Sequence, residues 1–450
     1  MARPLEMPYD KATGCAERYA WLEAMRPMGW AVFLDSGDPA RSGGRYDILA
    51  AAPRAVSAER EDAFDAARRL ISGETAVDAG WPVSGAVIGY LGYELGRAAA
   101  ALPQIKPGAA PFMPESALGL YAWTVVVDHA ERRAALTSLD SFGEDEARAL
   151  RERLLAAAAR PLRPFSVDAA IDSTLERSDY LPRARRVLDY IEAGDCYQVN
   201  LTREFHAPCS GDPWSFYRYL HDSNPAPMGA YLEYPFGAVL SSSPERFLVV
   251  QGRDVVTRPI KGTRRRRADP AEDAAAAAAL LASPKDRAEN VMIVDLLRND
   301  LGRVCETGSV NVRGLCEVES FATVHHLVST VTGVLAAGLD ALDALEACFP
   351  GGSITGAPKR RAMQIIDELE PHRREVYCGA IGYIAPGGRM DMNIPIRTTL
   401  VAGGELRFYA GGGIVADSTP EDEFDETEAK IAAIRRAIAA FSPARSAANG

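Results

Sequence analysis

The sequence predicts an α+β protein with a mainly antiparallel sheet, and three observations carry that prediction. Through roughly the first 140 residues, short runs of alternating or β-branched character follow one another across turns. Beyond residue 178 such runs alternate with helical stretches, yet several strands are still followed directly by strands, without the crossover helix that a parallel sheet needs. At 450 residues the chain exceeds the size at which single cores stop growing, so two lobes or one large composite domain are expected.

In order along the chain, residues 31–35, 46–49 and the long run 120–128 read as strands. Residues 144–159, rich in alanine and arginine, read as a helix that the prolines of Arg160-Pro161-Leu162-Arg163-Pro164 bring to an end. That break sets the expected organisation: an N-terminal region 1–160, a linker 161–177, a larger region 178–440 and a tail 441–450. Ser178 is the expected N-cap of a helix over 180–193, which Gly194 stops. Further helices are expected over 271–282, 285–297, 359–369 and 421–440. The alanines at 274–279 serve helix propensity alone. The four arginines at 264–267 read as a solvated, loosely ordered loop within reach of an anionic substrate.

Composition excludes some classes of function. A net charge of −11 argues against a nucleic-acid or anionic-membrane binder, which needs a basic footprint. The start, Met1-Ala2-Arg3-Pro4-Leu5-Glu6, lacks the apolar core of a signal peptide, and no stretch nears the ~18 uncharged apolar residues of a membrane span. Seven scattered cysteines with no CxxC pair suit reduced thiols in a cytoplasmic protein and give zinc no support.

Two groups of residues suggest chemistry. In Arg258-Pro259-Ile260-Lys261-Gly262-Thr263, Lys261 stands between a Pro-Ile turn and a flexible Gly-Thr step, poised to face a cleft. Kept unprotonated, its amine is a nucleophile. Asp286 and Glu289 are three apart on one predicted helix, and Glu423 and Glu426 on another, so each pair shares a helix face. Four converging carboxylates would need a hard cation among them, and oxygen ligation with few protein ligands suits Mg2+. One such pair alone is more often a solvated helix face. The second group reads as anion recognition. Gly411, Gly412 and Gly413 follow an apparent strand over 406–409 and let backbone N–H groups approach a carboxylate. Arg397 offers a bidentate contact, and the small-residue loop 351–359 runs into a helix N-terminus. Taken singly, each loop reads as well as a tight turn. No Walker loop, dinucleotide fingerprint, Ser-His-Asp or Cys-His arrangement is legible, and of the histidines only His325-His326 sits near these segments.

Further segments fall in a specific order: Gly194-Asp195-Cys196-Tyr197-Gln198-Val199-Asn200-Leu201, Ser242-Ser243-Pro244-Glu245-Arg246-Phe247 and the Lys261 run. Asp286-Arg287-Ala288-Glu289-Asn290, Leu297-Arg298-Asn299-Asp300-Leu301-Gly302, the 351–359 loop and 411–430 complete the series. Together with 33–37 and 44–49 near the start, they resemble the chorismate-utilising enzymes, and within that family the aminodeoxychorismate synthase large-subunit branch. The resemblance covers nearly the whole chain and is densest from 178 to 430. It implies two antiparallel sheets packed face to face with helices outside, chorismate as substrate and Mg2+ as cofactor. It implies metal ligation by Glu289 and by Glu423 or Glu426, with Asp286 acting through water. Contacts to the chorismate carboxylates and ring are implied for Gly262, Thr263, Ser353, Tyr377, Arg397, Gly411, Gly412, Gly413 and Lys430. His326 would lie beside the ring, and Glu245 takes the general-acid position.

Two positions divide the family. Members that hydrate the ring carry a lysine base where this chain has Gln198. Anthranilate synthases carry a small residue where this chain has Lys261, and the aminating enzymes carry lysine there. The implied reaction replaces the C4 hydroxyl of chorismate with an amine through a covalent Lys261 adduct, on the way to p-aminobenzoate and folate. Because no glutamine-hydrolysing Cys-His pair is legible, ammonia is expected from a separate glutamine amidotransferase subunit. Ser36, with Pro227 and Met228, falls where relatives hold tryptophan, although Leu34-Asp35-Ser36 departs from the motif of the regulated enzymes. Two other readings stay open: an anthranilate synthase large subunit, and a catalytically silent tryptophan-binding or scaffold subunit. The latter has no need of the retained carboxylates, Arg397 and Lys261.

Overall fold

The computed structural model describes residues 4–10, 15–38, 44–58, 61–76, 80–103, 110–168, 171–321 and 324–442. Among them, strands form one sheet of 13 and another of 10, with antiparallel pairing throughout. The expected α+β class, with two packed antiparallel sheets flanked by helices, is the one the chain adopts. In the larger sheet Val32, Ile48, Val126 and Leu232 join the core between the sheets, while Ala31, Phe33, Leu49, Val125 and Tyr231 belong to a second core. Helices Glu17–Met25, Glu144–Leu155, Pro213–Ser223 and Pro420–Phe441 close that second core with Trp21, Leu154, Trp214 and Ile434. With both faces covered, these strands read as continuous apolar runs instead of alternating ones.

Several local expectations are corrected. The run 120–128 is two strands: Ser116–Tyr121 lies in the smaller sheet and Trp123–Asp128 in the larger. Ala122 is the corner between them, its carbonyl accepting from the Leu139 amide at 2.8 Å. Helix Arg177–Glu192 is preceded by Glu176, so Ser178 sits inside its first turn and does not cap it, while Gly194 follows at φ 80° as expected of a stop. Of the four arginines, Arg264 and Arg265 end the strand Ile260–Arg265 and only Arg266 and Arg267 lie in a loop, which is held because Arg264 pairs with Asp286 at 2.8 Å and Arg266 with Asp273 at 2.8 Å. Gly411, Gly412 and Gly413 lie within the strand Glu405–Ile414, opposite Thr202, Leu201 and Asn200.

Both sheets draw strands from both long regions. Ala31–Asp35 pairs with Met228–Tyr234 in the larger sheet, and Ala86–Leu91 with Ala380–Ala385 in the smaller. The stretch 161–177 carries the strands Phe165–Val167 and Asp172–Ser173, each paired with the 14-residue strand Gln198–Gly211. Of the tail, only 441 and 442 fall within the described residues.

The connection after helix Lys359–Leu369 buries four charged residues, Glu370, Arg373, Arg374 and Glu375. Glu375 accepts the amides of Phe112 at 3.1 Å and Met113 at 3.4 Å, yet burial, with Glu94 beside it, pushes its carboxyl up to about 7. A carboxyl that ionises near 4.5 in the unfolded chain and near 7 in the fold contributes stability below 4.5, which is lost as the pH rises through 7. Glu375→Gln should remove that dependence. By calorimetry its Tm is expected to stay nearly level between about pH 5 and about pH 8, where the parent protein declines by a few degrees. Parallel declines in the two proteins would refute this account.

Candidate active site

A cavity of about 660 Å3 gathers the candidate residues. The smaller sheet supplies Lys261, Gly262 and Thr263 from Ile260–Arg265, and His326 from Val324–Val334. The larger sheet supplies Asn200, Tyr409, Gly411 and Gly413. Helix Pro284–Gly302 presents Lys285, Asp286 and Glu289, and helix Pro420–Phe441 presents Glu423, Glu426 and Lys430. Glu245, Ser353, Tyr377 and Arg397 complete the wall. The three-residue spacing on each helix thus brings both acidic pairs to one cavity.

Gly412 stands behind this wall. A Cβ built on it would lie 2.6 Å from Glu423 Oε2, so any larger residue here would push that carboxylate aside. Gly262 sits at φ 74° where the register shifts between Lys261 and Thr263. A bulge of this kind re-aims the side chains beside it, and here both neighbours of Gly262 line the cavity.

Lys261 is half-buried and its Nζ donates to the Ser353 carbonyl at 3.3 Å. Burial lowers its pKa against the opposing pull of Glu289 and Glu245. The Ser353 hydroxyl donates to Glu245 Oε1 at 2.7 Å, and burial raises the pKa of that carboxyl. Ser353 therefore touches the amine with its carbonyl and the carboxyl with its hydroxyl. Thr263 Oγ1 and His326 Nδ1 are 2.9 Å apart, and burial, then the charge of Arg397, push His326 down to about 4, so its ring is neutral. Arg397 has its backbone at φ 52°, in the left-handed region that residues with side chains seldom occupy, and its carbonyl accepts from the Ser242 amide at 3.1 Å.

The carboxylates differ among themselves. Glu423 accepts from Ser418 Oγ at 2.6 Å through one oxygen, while its Oε2 is buried with no hydrogen-bond partner. Burial raises the pKa of both Glu289 and Glu423. For Glu426 burial is outweighed by Lys430, which pairs with it at 2.6 Å, and its pKa falls. Lys430 also donates to the Gly411 carbonyl at 2.8 Å. Among the described residues no group of three or more His, Cys, Asp or Glu side chains stands arranged to hold a metal ion by itself. The oxygen donors of Glu289, Glu423 and Glu426 on one cavity, with an orphaned Oε2, fit a cation that keeps most of its places for water and substrate, as Mg2+ does. Asp286 is already engaged by Arg264 at 2.8 Å.

Sequence reasoning missed Asn200, Lys285 and Tyr409 as wall residues, while Arg264 stands on the wall from the arginine run that it set within reach of an anionic substrate. Lys285 was accessible to it, being four positions before Glu289 on the same helix. Tyr409 stacks on Tyr377 with ring centres 5.4 Å apart, an arrangement only tertiary packing creates. Gln198 is fully buried behind Gly413, and neither of its amide atoms has a hydrogen-bond partner among the described residues. Ser36, Pro227 and Met228 line a separate, smaller cavity of about 70 Å3. Ser36 gives both its amide and its hydroxyl to Asp47 Oδ1, at 2.9 and 2.7 Å.

Residues 29–436 match the family described as chorismate binding enzyme. Aminodeoxychorismate synthase component 1 of Klebsiella aerogenes is 44% identical over 430 residues, covering 91% of this chain and 94% of its own. Anthranilate synthase component 1 of Streptomyces coelicolor is 42% identical over 434 residues, covering 91% of this chain and 85% of its own. The crystal structure of anthranilate synthase component I from Streptococcus pneumoniae superposes with a TM-score of 0.78 at 32% identity, covering 87% of this chain and 92% of that one. With the match spanning both sheets and the whole cavity wall, this chain belongs to the chorismate-binding enzyme family.

Proposed function

We propose that the protein aminates chorismate at C4, giving 4-amino-4-deoxychorismate, with Mg2+ as cofactor and ammonia from a glutamine amidotransferase subunit. Relatives named for amination and for anthranilate synthesis are similar to this chain to nearly the same degree, so overall identity does not choose between them. The observation that carries the choice is Lys261: an amine half-buried in the cavity, 3.3 Å from the Ser353 carbonyl, with its pKa lowered by burial. Unpaired, buried thiols at all seven cysteines fit a reducing cytoplasm, where we place the reaction. Its product would feed p-aminobenzoate and folate synthesis.

The wall holds five carboxylates and five lysine or arginine side chains. Chorismate adds two carboxylates, and a divalent cation restores the balance, so each should favour binding of the other. Glu289, Glu423 and Glu426 would hold Mg2+, which when bound supplies Lewis-acid polarisation of a substrate oxygen. Arg397 is a cation available to one carboxylate, Lys430, paired with Glu426, serves the other when Glu426 turns to the metal, and neutral His326 can lie against the ring without competing for them. Lys261 Nζ bonds to ring carbon C2 as the C4–O bond breaks, and Glu245, whose pKa burial raises, gives a proton so that the oxygen departs as water. Ammonia then bonds to C4 as the C2–N bond breaks, which frees the Lys261 amine, and the proton shed by the new C4 ammonium returns to the Glu245 carboxylate. Gln198 has no basic nitrogen with which to activate water, which speaks against ring hydration.

The smaller cavity is the place we reserve for tryptophan in this reading. Its ligand would be met by Pro227 and Met228, since Ser36 is committed to Asp47.

Incubation with chorismate, Mg2+ and ammonium should yield a new amine and no anthranilate fluorescence; anthranilate as the product would sink the assignment. Lys261→Ala is expected to lose the adduct by intact mass and amination by about 100-fold or more. The pH profile of kcat/KM should be bell-shaped, because the reaction needs Lys261 neutral and Glu245 protonated, and its limbs belong to the coupled pair. Glu245→Gln should abolish one limb, and a profile that keeps both would remove Glu245 from the mechanism. Gly412→Ala, whose methyl meets Glu423 Oε2, should raise the half-saturating Mg2+ concentration about tenfold or more with little change in KM for chorismate at saturating Mg2+. An unchanged Mg2+ titration would dissociate Glu423 from the metal.

A further inference from the structure

Arg374 lies on the connection between helix Lys359–Leu369 and strand Ala380–Ala385, 1% exposed and outside the cavity wall. Its guanidinium grips Glu370 twice, Nε to Oε2 at 2.9 Å and Nη2 to Oε1 at 2.7 Å. It also donates to two main-chain carbonyls, from Nη1 to Ile354 at 2.8 Å and from Nη2 to Asn200 at 2.6 Å. Glu370 in turn accepts the amide and the hydroxyl of Thr202, each at 2.8 Å. Asn200 and Ile354 both line the cavity, and Ile354 directly follows Ser353.

The turn that carries Ser353 is poorly held by its own backbone. In Gly352–Ile354 and its flanks, Ile354 donates to Gly351 and Thr355 to Gly352, both at 3.4 Å, the long end of a hydrogen bond. The firm contacts are Thr355 Oγ1 to the Gly351 carbonyl at 2.9 Å within the turn, the Asn200 amide to the Thr355 carbonyl at 2.9 Å, the Ser353 hydroxyl to Glu245 at 2.7 Å, and Arg374 Nη1 to the Ile354 carbonyl at 2.8 Å.

We propose that Arg374 is a positioning residue for the amination reaction: its guanidinium fixes the Ser353–Ile354 turn, and through the Ser353 carbonyl it fixes where the Lys261 lone pair points. An amine that donates an N–H to Ser353 directs its lone pair away from that carbonyl and into the cavity, toward the ring. The inference rests on Lys261 being the nucleophile. A lysine in place of Arg374 has no planar fork, so it cannot bridge Glu370, Ile354 and Asn200 at once.

The test uses the full chain carrying Arg374→Lys or Arg374→Met. Melting curves first establish that each variant is folded at the assay temperature. Two readouts follow: kcat and KM for chorismate with ammonium, and the pH midpoint for acetylation of Lys261 by trace acetic anhydride, located by peptide mass mapping. In both variants kcat is expected to fall about tenfold to 100-fold with KM changed by less than about threefold. The acetylation midpoint should rise by about one pH unit as the loosened turn admits water to the amine. A folded Arg374→Lys protein with the parent's kcat and the parent's midpoint overturns the proposal, as does a loss of kcat that merely tracks the folded fraction. If Arg374→Met does not fold, Arg374→Lys decides. Failure of the nucleophile reading appears separately, as an active Lys261→Ala enzyme, because acetylation needs no turnover.

Discussion

A half-buried amine, between two sheets and among carboxylates, is the constraint on which this molecule turns. Desolvation weakens the charged form of Lys261, and Glu289 and Glu245 pull the other way. The outcome depends on distances set by five separate elements: two sheets, two helices and one short turn. Ser353 is the shared point, in contact with both the amine and the Glu245 carboxyl. Outside the wall, Asp300 takes Lys359 Nζ at 2.6 Å, and the same nitrogen reaches the Cys348 carbonyl, so the loop that carries Ser353 is pinned where it meets helix Lys359–Leu369.

Much of the site could be read from the chain itself, and the limits of that reading have physical causes. Spacing by three on a helix is a direct geometric signal, so Asp286 with Glu289 and Glu423 with Glu426 were legible. Whether the two pairs meet depends on how two helices pack, which spacing does not record. The fold class followed from strands succeeding strands. The corner at Ala122 carries no glycine or proline to mark it, and with Tyr121 and Trp123 buried on both sides the apolar run continues unbroken through the bend. Gly411, Gly412 and Gly413 suggested a loop because glycine usually buys conformational freedom, whereas here its small size inside a strand is what counts. Arg374 left no sequence trace, since two of its partners are backbone carbonyls.

Relatives named for two different syntheses, aminodeoxychorismate synthase and anthranilate synthase, are similar to this chain over nearly its whole length. Lys261 faces the cavity from the smaller sheet, while Gln198 lies buried beneath the glycine-bearing strand of the larger one. Neither is needed to build the sheets. In the proposed reading a change at Lys261 alters the nucleophile, and neither residue belongs to the two main hydrophobic cores. That separation between scaffold and reactive group is how one fold hosts several reactions on one substrate class.

The interleaving of strands has its own consequence. Because Ala31–Asp35 abuts Met228–Tyr234 and Ala86–Leu91 abuts Ala380–Ala385, a truncated chain starting near residue 178 would leave two long rows of backbone N–H and C=O groups uncapped, inviting edge-to-edge aggregation. The amino-terminal third is thus a structural half of the catalytic body and no detachable appendage. Such distant partners must find each other before either sheet closes, which makes slow folding the natural kinetic signature of this architecture.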